Sequence, residues 1–159
     1  MLELNRISAG YGKQTVLDGI SVDFEKGKLT SIIGVNGCGK STLLKAILGI
    51  LSLSSGEIFI DGENLLTISR NEIAKKIAYL SQGKNIPDMT VEQMVLHGRF
   101  PYLSYPRKYT SRDREISYSA MEQVGIADFA EKPLFMLSGG MRQNAYIAIS
   151  LSRLVYFLG

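Results

Sequence analysis

The chain has 159 residues, of which 45% are hydrophobic and 21% charged, and its formal net charge is +3. That length fits one compact domain, and so small a positive charge on a mixed surface argues against nucleic acid as a partner. The single cysteine, Cys38, excludes an internal disulfide and suits a reducing compartment, and no apolar run reaches the roughly 18 residues of a membrane span.

No signal peptide is expected, because Met1 leads directly into strand-like sequence. Residues 2–7 alternate as a half-buried strand would, and Ala9-Gly10-Tyr11-Gly12 reads as a turn carrying an exposed aromatic. Residues 15–17 and 20–24 read as short strands, with a turn at Glu25-Lys26-Gly27-Lys28. Leu29-Thr30-Ser31-Ile32-Ile33 reads as a buried parallel strand. It runs into Gly34-Val35-Asn36-Gly37-Cys38-Gly39-Lys40-Ser41-Thr42, which fits G-x-x-x-x-G-K-[ST], a phosphate-binding loop. Residues 41–50 read as a helix with Leu43, Leu44, Ile47 and Leu48 on one face. Strand, loop and helix in that order suit the motif. Glycines let backbone N–H groups turn inward, and a helix N-terminus adds positive potential for phosphate oxygens. Lys40 is placed to reach the phosphates and the Ser41 hydroxyl to ligate Mg²⁺. Cys38 reads as a small residue tolerated in the loop, where alkylation would block a nucleotide.

After the break at Ser54-Ser55-Gly56, residues 57–60 read as a strand ending at the turn pair Asp61-Gly62. Ser69 is a candidate cap for a helix over 70–76, with Glu72 at the capping-box position. Residues 77–80 read as a compact buried strand, followed closely by Gln82. Thr90 reads as an N-cap for 91–97, with Gln93 three residues on. Residues 98–110 are rich in Pro, Tyr and basic residues and read as loop. Residues 111–124 read as a helix with Ile116, Ala120 and Val124 on one stripe. Gly125 and Pro133 punctuate, so 87–136 reads as a helical insertion into an α/β frame. Leu137-Ser138-Gly139-Gly140-Met141-Arg142-Gln143 then opens an apolar helix over about 141–154. Ser and two glycines at a helix N-terminus form a second candidate anion site. One domain rarely brings two such helix ends to the same phosphate, so one nucleotide sandwiched between two copies is expected.

The motifs in this order resemble the nucleotide-binding subunit of an ATP-binding cassette (ABC) transporter over nearly the whole chain. The resemblance implies an α/β fold, that of the P-loop ABC ATPases, with an N-terminal antiparallel β arm and a helical subdomain insertion. Residues 1–86 would be the N-terminal part of the core, 87–136 the helical subdomain, and 137–159 the signature motif with its helix. It implies that Tyr11 stacks on adenine. Asn36, Gly37, Cys38, Gly39, Lys40, Ser41 and Thr42 would hold the phosphates of ATP. Ser41 and Gln82 would be the Mg²⁺ ligands, Gln82 also facing the membrane subunit. Ser138, Gly139, Gly140 and Gln143 would bind the γ-phosphate of ATP held by a second copy in a head-to-tail dimer. Lys40, Gln82 and Ser138 are the residues implied in catalysis. The stretch from Thr90-Val91-Glu92 through Gly98-Arg99-Phe100-Pro101-Tyr102-Leu103 is similar to importers of iron–siderophore complexes, haem and cobalamin. The implied partners are integral-membrane permease subunits and, indirectly, a periplasmic or lipoprotein substrate-binding protein. The implied location is the cytoplasmic face of the plasma membrane.

The departures matter as much. The family carries an acidic pair after the signature helix and, later, a switch histidine. Here no acidic residue follows Glu131, and the only histidine, His97, precedes the signature and reads as a surface or packing residue. These residues therefore resemble a subunit with the C-terminal part of its core missing, which predicts a poorly stable chain without significant ATPase activity. A soluble ABC ATPase of DNA repair or translation would show a coiled-coil insertion or tandem cassettes, and neither is present. A non-catalytic nucleotide-binding fragment is the other alternative. A P-loop kinase or GTPase leaves Leu137-Ser138-Gly139-Gly140 unexplained.

Overall fold

The computed structural model describes residues 1–79, 86–153 and 156–158. The chain divides into two compact units, Met1–Ala74 and Lys75–Gly159.

The first unit is built on a four-stranded antiparallel sheet of order β2-β1-β3-β4, comprising β1 (Leu2–Tyr11), β2 (Gln14–Phe24), β3 (Leu53–Ile60) and β4 (Glu63–Asn64). The two short strands expected at 15–17 and 20–24 are one strand, β2. Strict alternation from Leu2 and Leu4 would send Arg6 into the core. Instead Arg6 takes a left-handed φ of 47°, the register shifts, and Ile7 and Ala9 take the inward positions. The backbone groups disturbed by the shifts are satisfied by hydroxyls: Arg6 N donates to Ser21 Oγ (2.9 Å) and Gly19 N to Ser8 Oγ (3.0 Å). On the other side of β1 the bulge leans against Gly56, whose φ is 81° and where a Cβ would collide with the Arg6 carbonyl. Leu2, Leu4, Ile7, Ile58 and Ile60 are essentially fully buried, each contributing about 1.5–3 kcal/mol of burial free energy.

Helix α1 (Lys40–Ile47) packs on β1 and β2. Its buried face is Thr42, Leu43, Ala46 and Ile47, one residue round from the expected stripe, and Leu44 and Leu48 are half-buried. The helix stops short of residue 50 because Gly49 adopts φ 65°. Gly49 N then donates to Ala46 O (3.0 Å) and Ile50 N to Lys45 O (3.0 Å), a Schellman ending. Helix α2 (Arg70–Lys76) begins where expected, with Glu72 N donating to Ser69 Oγ (3.2 Å).

The strand expected at 29–33 does not form. Leu29 is 97% and Ile33 93% exposed, and among the described residues no strand pairs with this segment. A central parallel strand gains its ladder and its two buried faces only from neighbours, so an apolar run without them has no reason to extend.

In the second unit β5 (Ile77–Tyr79) pairs in parallel with β6 (Tyr156–Leu158), Ile77 opposite Tyr156. The helical part comprises α3 (Val91–Leu96), α4 (Ser111–Gln123) and α5 (Gly139–Leu151). Both α3 and α4 start in full capping boxes, Thr90 with Gln93 and Thr110 with Asp113. The three helices share a core of Val91, Val95, Ala120, Met121, Leu134 and Ala145 with their neighbours. The expected stripe of α4 is corrected here: Asp113, Ser117, Ala120 and Met121 are buried, while Ile116 and Val124 are half-buried. Asp113 turns the helix, because its carboxylate caps Thr110 and faces Arg99 inward.

Candidate functional site

The phosphate loop lies in the first unit. A turn closed by Cys38 N donating to Val35 O (3.3 Å) carries Gly37 at φ 83° and leads to Gly39 at φ 98°, the N-cap of α1. Two glycines have crowded Cβ positions, and Gly39 is favoured by its φ as well. A Cβ on Gly34 would sit 2.6 Å from Cys38 Sγ, and one on Gly39 3.2 Å from Val16 Cγ1 on β2. Within this loop Lys40 Nζ donates to Gly34 O (2.7 Å) and Val35 O (2.9 Å) and lies 3.7 Å from Cys38 Sγ. Helix α1 has no side-chain cap and no acidic residue in its first turn. Its leading N–H groups and the ammonium therefore converge on the loop without a carboxylate to neutralise them, which is what an anion needs. Asn36, Gly37, Cys38 and Ser41 are exposed, whereas Thr42 is buried against the sheet.

Tyr11 comes to the same helix from the end of β1. Lys45 Nζ donates to its hydroxyl oxygen (3.3 Å) and lies 5.5 Å from the ring centroid. Hydrogen bonding with Thr42, and then with Lys45, lowers the phenol below its ordinary value. The residue remains 48% exposed. Sequence reasoning named Tyr11 but missed Lys45 and Thr42 as its supports. The signal was available in the helical period, since residues 42 and 45 share one face of α1.

The second candidate anion site, Ser138 to Gln143, lies in the other unit. Ser138 is the N-cap of α5, its Oγ accepting from Met141 N (3.3 Å) while Arg142 N reaches Ser138 O (2.9 Å). The hydroxyl hydrogen stays free to donate to a phosphate oxygen. Gly139 and Gly140 have open space where a Cβ would be, Gln143 is exposed, and no acid occupies the first turn of α5. The helix is held by Asn144 Nδ2 donating to Val124 O (2.9 Å) and by burial of Ala145 and Ala148. Gln82 lies outside the described residues.

The fit to Mg²⁺ rests on the donor set. Among the described residues no group of three or more His, Cys, Asp or Glu side chains could hold a metal on its own. The exposed Ser41 hydroxyl beside an anion cradle suits an ion held jointly by one protein oxygen and phosphate oxygens. His97 is exposed, as expected of a surface residue. It borders a cavity of about 270 Å³ with Tyr79, Met94, Tyr146 and Arg153, and a second cavity of about 380 Å³ in the first unit is lined by Ala46, Leu53, Ile58, Leu65 and Ile73. Neither cavity includes a residue of the phosphate loop.

The profile of the family described as "ABC transporter" matches residues 17–158. The petrobactin import ATP-binding protein FpuD of Bacillus anthracis is 37% identical over 153 residues, 96% of this chain and 56% of that protein. The ferric enterobactin transport ATP-binding protein FepC of Escherichia coli is 37% identical over 93% of this chain and 55% of its own length. The chain thus spans about half the length of the curated relatives it matches. Among solved structures, cbiO1 of Clostridium perfringens, part of the ABC transporter complex cbiONQ, superposes with a TM-score of 0.82 at 27% identity, covering 97% of this chain and 62% of that one. An ATP-binding cassette of an ABC transporter, MJ1267, superposes with a TM-score of 0.83 at 26% identity, covering 96% and 65%.

Proposed function

Because this chain belongs to the ABC transporter family and has its P-loop ATPase fold, we propose that it is the nucleotide-binding part of an energy-coupling subunit for import of an iron–siderophore, haem or cobalamin. The observation that carries the reading is the Lys40 ammonium held inside a glycine loop at the start of an uncapped, acid-free helix. The iron-chelate class is supported by the petrobactin and ferric enterobactin import that FpuD and FepC are named for, together with the resemblance of residues 90–103.

ATP is the ligand the cradle fits. Lys40 and the loop N–H groups bind its phosphates, Tyr11 supports the base, and Ser41 shares the Mg²⁺. When bound, that ion neutralises phosphate charge and orients the phosphoryl group. Ser138, Gly139, Gly140 and Gln143 of a second copy complete the site, which accounts for a capped helix end that carries two unobstructed glycines and faces open surface. Gln82 is assigned to the metal and to signalling toward a permease. Permease subunits are the proposed partners, with the chain at the cytoplasmic membrane surface. No helix among the described residues is long and apolar enough to cross a membrane. The 159 residues contain no carboxylate after Glu131 to polarise water, so they are proposed to bind ATP with little turnover by themselves.

The Tyr11 assignment is tested by titrating a fluorescent ATP analogue. Replacing Tyr11 by Phe keeps the ring and loses the hydroxyl's links to Thr42 and Lys45, so affinity should change less than about threefold. Replacing it by Ala removes the stacking face and should weaken binding roughly 2- to 12-fold, as expected for about 0.5–1.5 kcal/mol of aromatic contact. Equal effects of the two substitutions would place adenine elsewhere. The composite site is tested by sedimentation. A non-hydrolysable ATP analogue with Mg²⁺ should shift the chain toward dimer, and Gly140→Asp should abolish the shift by setting a carboxylate against the γ-phosphate. An unchanged dimer fraction in Gly140→Asp would remove α5 from the site.

A further inference from the structure

One strongly charged surface has no part in binding nucleotide. Residues 93–112 contain Arg99, Arg107, Lys108 and Arg112 and not one Asp or Glu. The bordering acids are already engaged: Asp113 pairs with Arg99 (3.1 Å) and Glu92 with Arg114 (3.0 Å). Glu115 reaches Arg112 only at 3.9 Å, with both side chains largely in solvent. Arg107 and Lys108 are exposed on the loop itself, beside Tyr105, which is 96% exposed. The Arg107 guanidinium lies 4.7 Å from the centroid of the exposed Phe100 ring.

The loop is held at both ends. On one side Arg99 Nη1 donates to Ser152 O (2.8 Å), and the Tyr102 hydroxyl lies 2.6 Å from Arg153 O and 3.1 Å from Lys75 O. On the other, Thr110 Oγ1 donates to Asp113 Oδ2 (2.7 Å) at the start of α4. A braced loop that displays aromatics and cations together, with its own acids withdrawn, keeps apolar surface in water at a cost. Its residues line neither of the two cavities described above. Rings that rest at a headgroup boundary and cations that meet phosphate are the chemistry of a lipid surface.

We propose that the loop over residues 103–109, together with Phe100 and Arg112, docks on anionic lipid headgroups beside the transporter. This rests on the reading above, which brings the chain to a membrane through a permease. Three exposed cations and one or two rings give weak, reversible contact, effective as a second anchor and insufficient as the only one.

The test is co-sedimentation of the 159-residue chain with phosphatidylcholine vesicles and with vesicles of phosphatidylcholine and phosphatidylglycerol, with binding of the fluorescent ATP analogue measured on the same samples. Anionic vesicles should bind at least about tenfold better, and the preference should fall with added salt. Neutralising Arg107, Lys108 and Arg112 to Gln should remove the preference, Tyr105→Ala should weaken it severalfold, and neutralising Lys13, Lys26 and Lys28 to Gln should leave it in place. Retained analogue binding in all variants shows that they are folded. The proposal is overturned if both lysine and arginine–lysine sets lose binding equally, if neutral vesicles bind as well, or if soluble polyglutamate binds while vesicles do not. Loss of analogue binding by the unmodified chain would instead count against the nucleotide reading, whatever the vesicles show.

Discussion

Lys40→Ala is expected to weaken binding of a labelled ATP analogue by roughly 10- to 150-fold, the equivalent of about 1.5–3 kcal/mol for a charge-assisted hydrogen bond. Lys40 is half-buried, and its ammonium rests on the Gly34 and Val35 carbonyls. Those carbonyls point into an exposed loop, so truncation leaves them to water and the helix behind them intact. Thermal unfolding of the variant should therefore stay near that of the parent, while the affinity collapses. A phosphate-free nucleoside should show no such loss, because the ammonium reads phosphate and not the base. If Lys40→Ala binds the analogue as tightly as the parent, the loop is an ordinary glycine turn and the assignment of the whole site falls. Lys40→Arg separates charge from shape. A planar guanidinium keeps the charge but cannot fill the place of a compact ammonium between two carbonyls, so only partial recovery is expected.

Much of the site was legible because its signals are local. The spacing of Gly34, Gly39, Lys40 and Ser41 states the loop, Ser138 before two glycines states a cap, and Thr90 with Gln93 states a capping box that the structure forms. What escaped was non-local. Nothing in the order Leu29-Thr30-Ser31-Ile32-Ile33 says whether a neighbouring strand is present, and without one the segment forms no strand and stays exposed. The bulge at Arg6 escaped as well, because it depends on Gly56 making room on the adjacent strand. The inward turn of Asp113 on α4 could not be read from apolar spacing, which favours Ile116. It follows from an arginine 14 residues earlier. The same reason hid Lys45 behind Tyr11, whose partner lies 34 residues along the chain.

Arg99→Ala is expected to be the most destabilising single change in the second unit, costing about 3–5 kcal/mol through a buried carboxylate left without its cation. The Arg99 and Asp113 side chains are 11% and 9% exposed. Burial alone would raise the Asp113 carboxyl. Hydrogen bonds from the Thr110 N–H and hydroxyl, joined by the Arg99 guanidinium, outweigh burial and hold it below the usual carboxylate range. A carboxyl depressed in the folded state contributes stability that is fully present above its unfolded value, about 3.9, and is lost as the pH falls through the folded value. Arg99→Ala removes part of that depression, so the gap between variant and parent should be widest at neutral pH and should narrow below about pH 4. Arg99 also donates to Ser152 O and stacks 4.0 Å from the Tyr102 ring centroid, so a packing loss independent of pH should remain beneath the titrating part. Asp113→Asn keeps the shape and leaves Arg99 its bond to Ser152, and should cost less than Arg99→Ala. The double variant should cost less than the sum, because the two side chains form one pair. Denaturant titrations followed by circular dichroism at pH 7 and pH 4 measure all four proteins. A cost for Arg99→Ala that is independent of pH would show that packing, and not the ion pair, holds this corner. A cost below about 0.5 kcal/mol would show that the pair contributes no more than an exposed one.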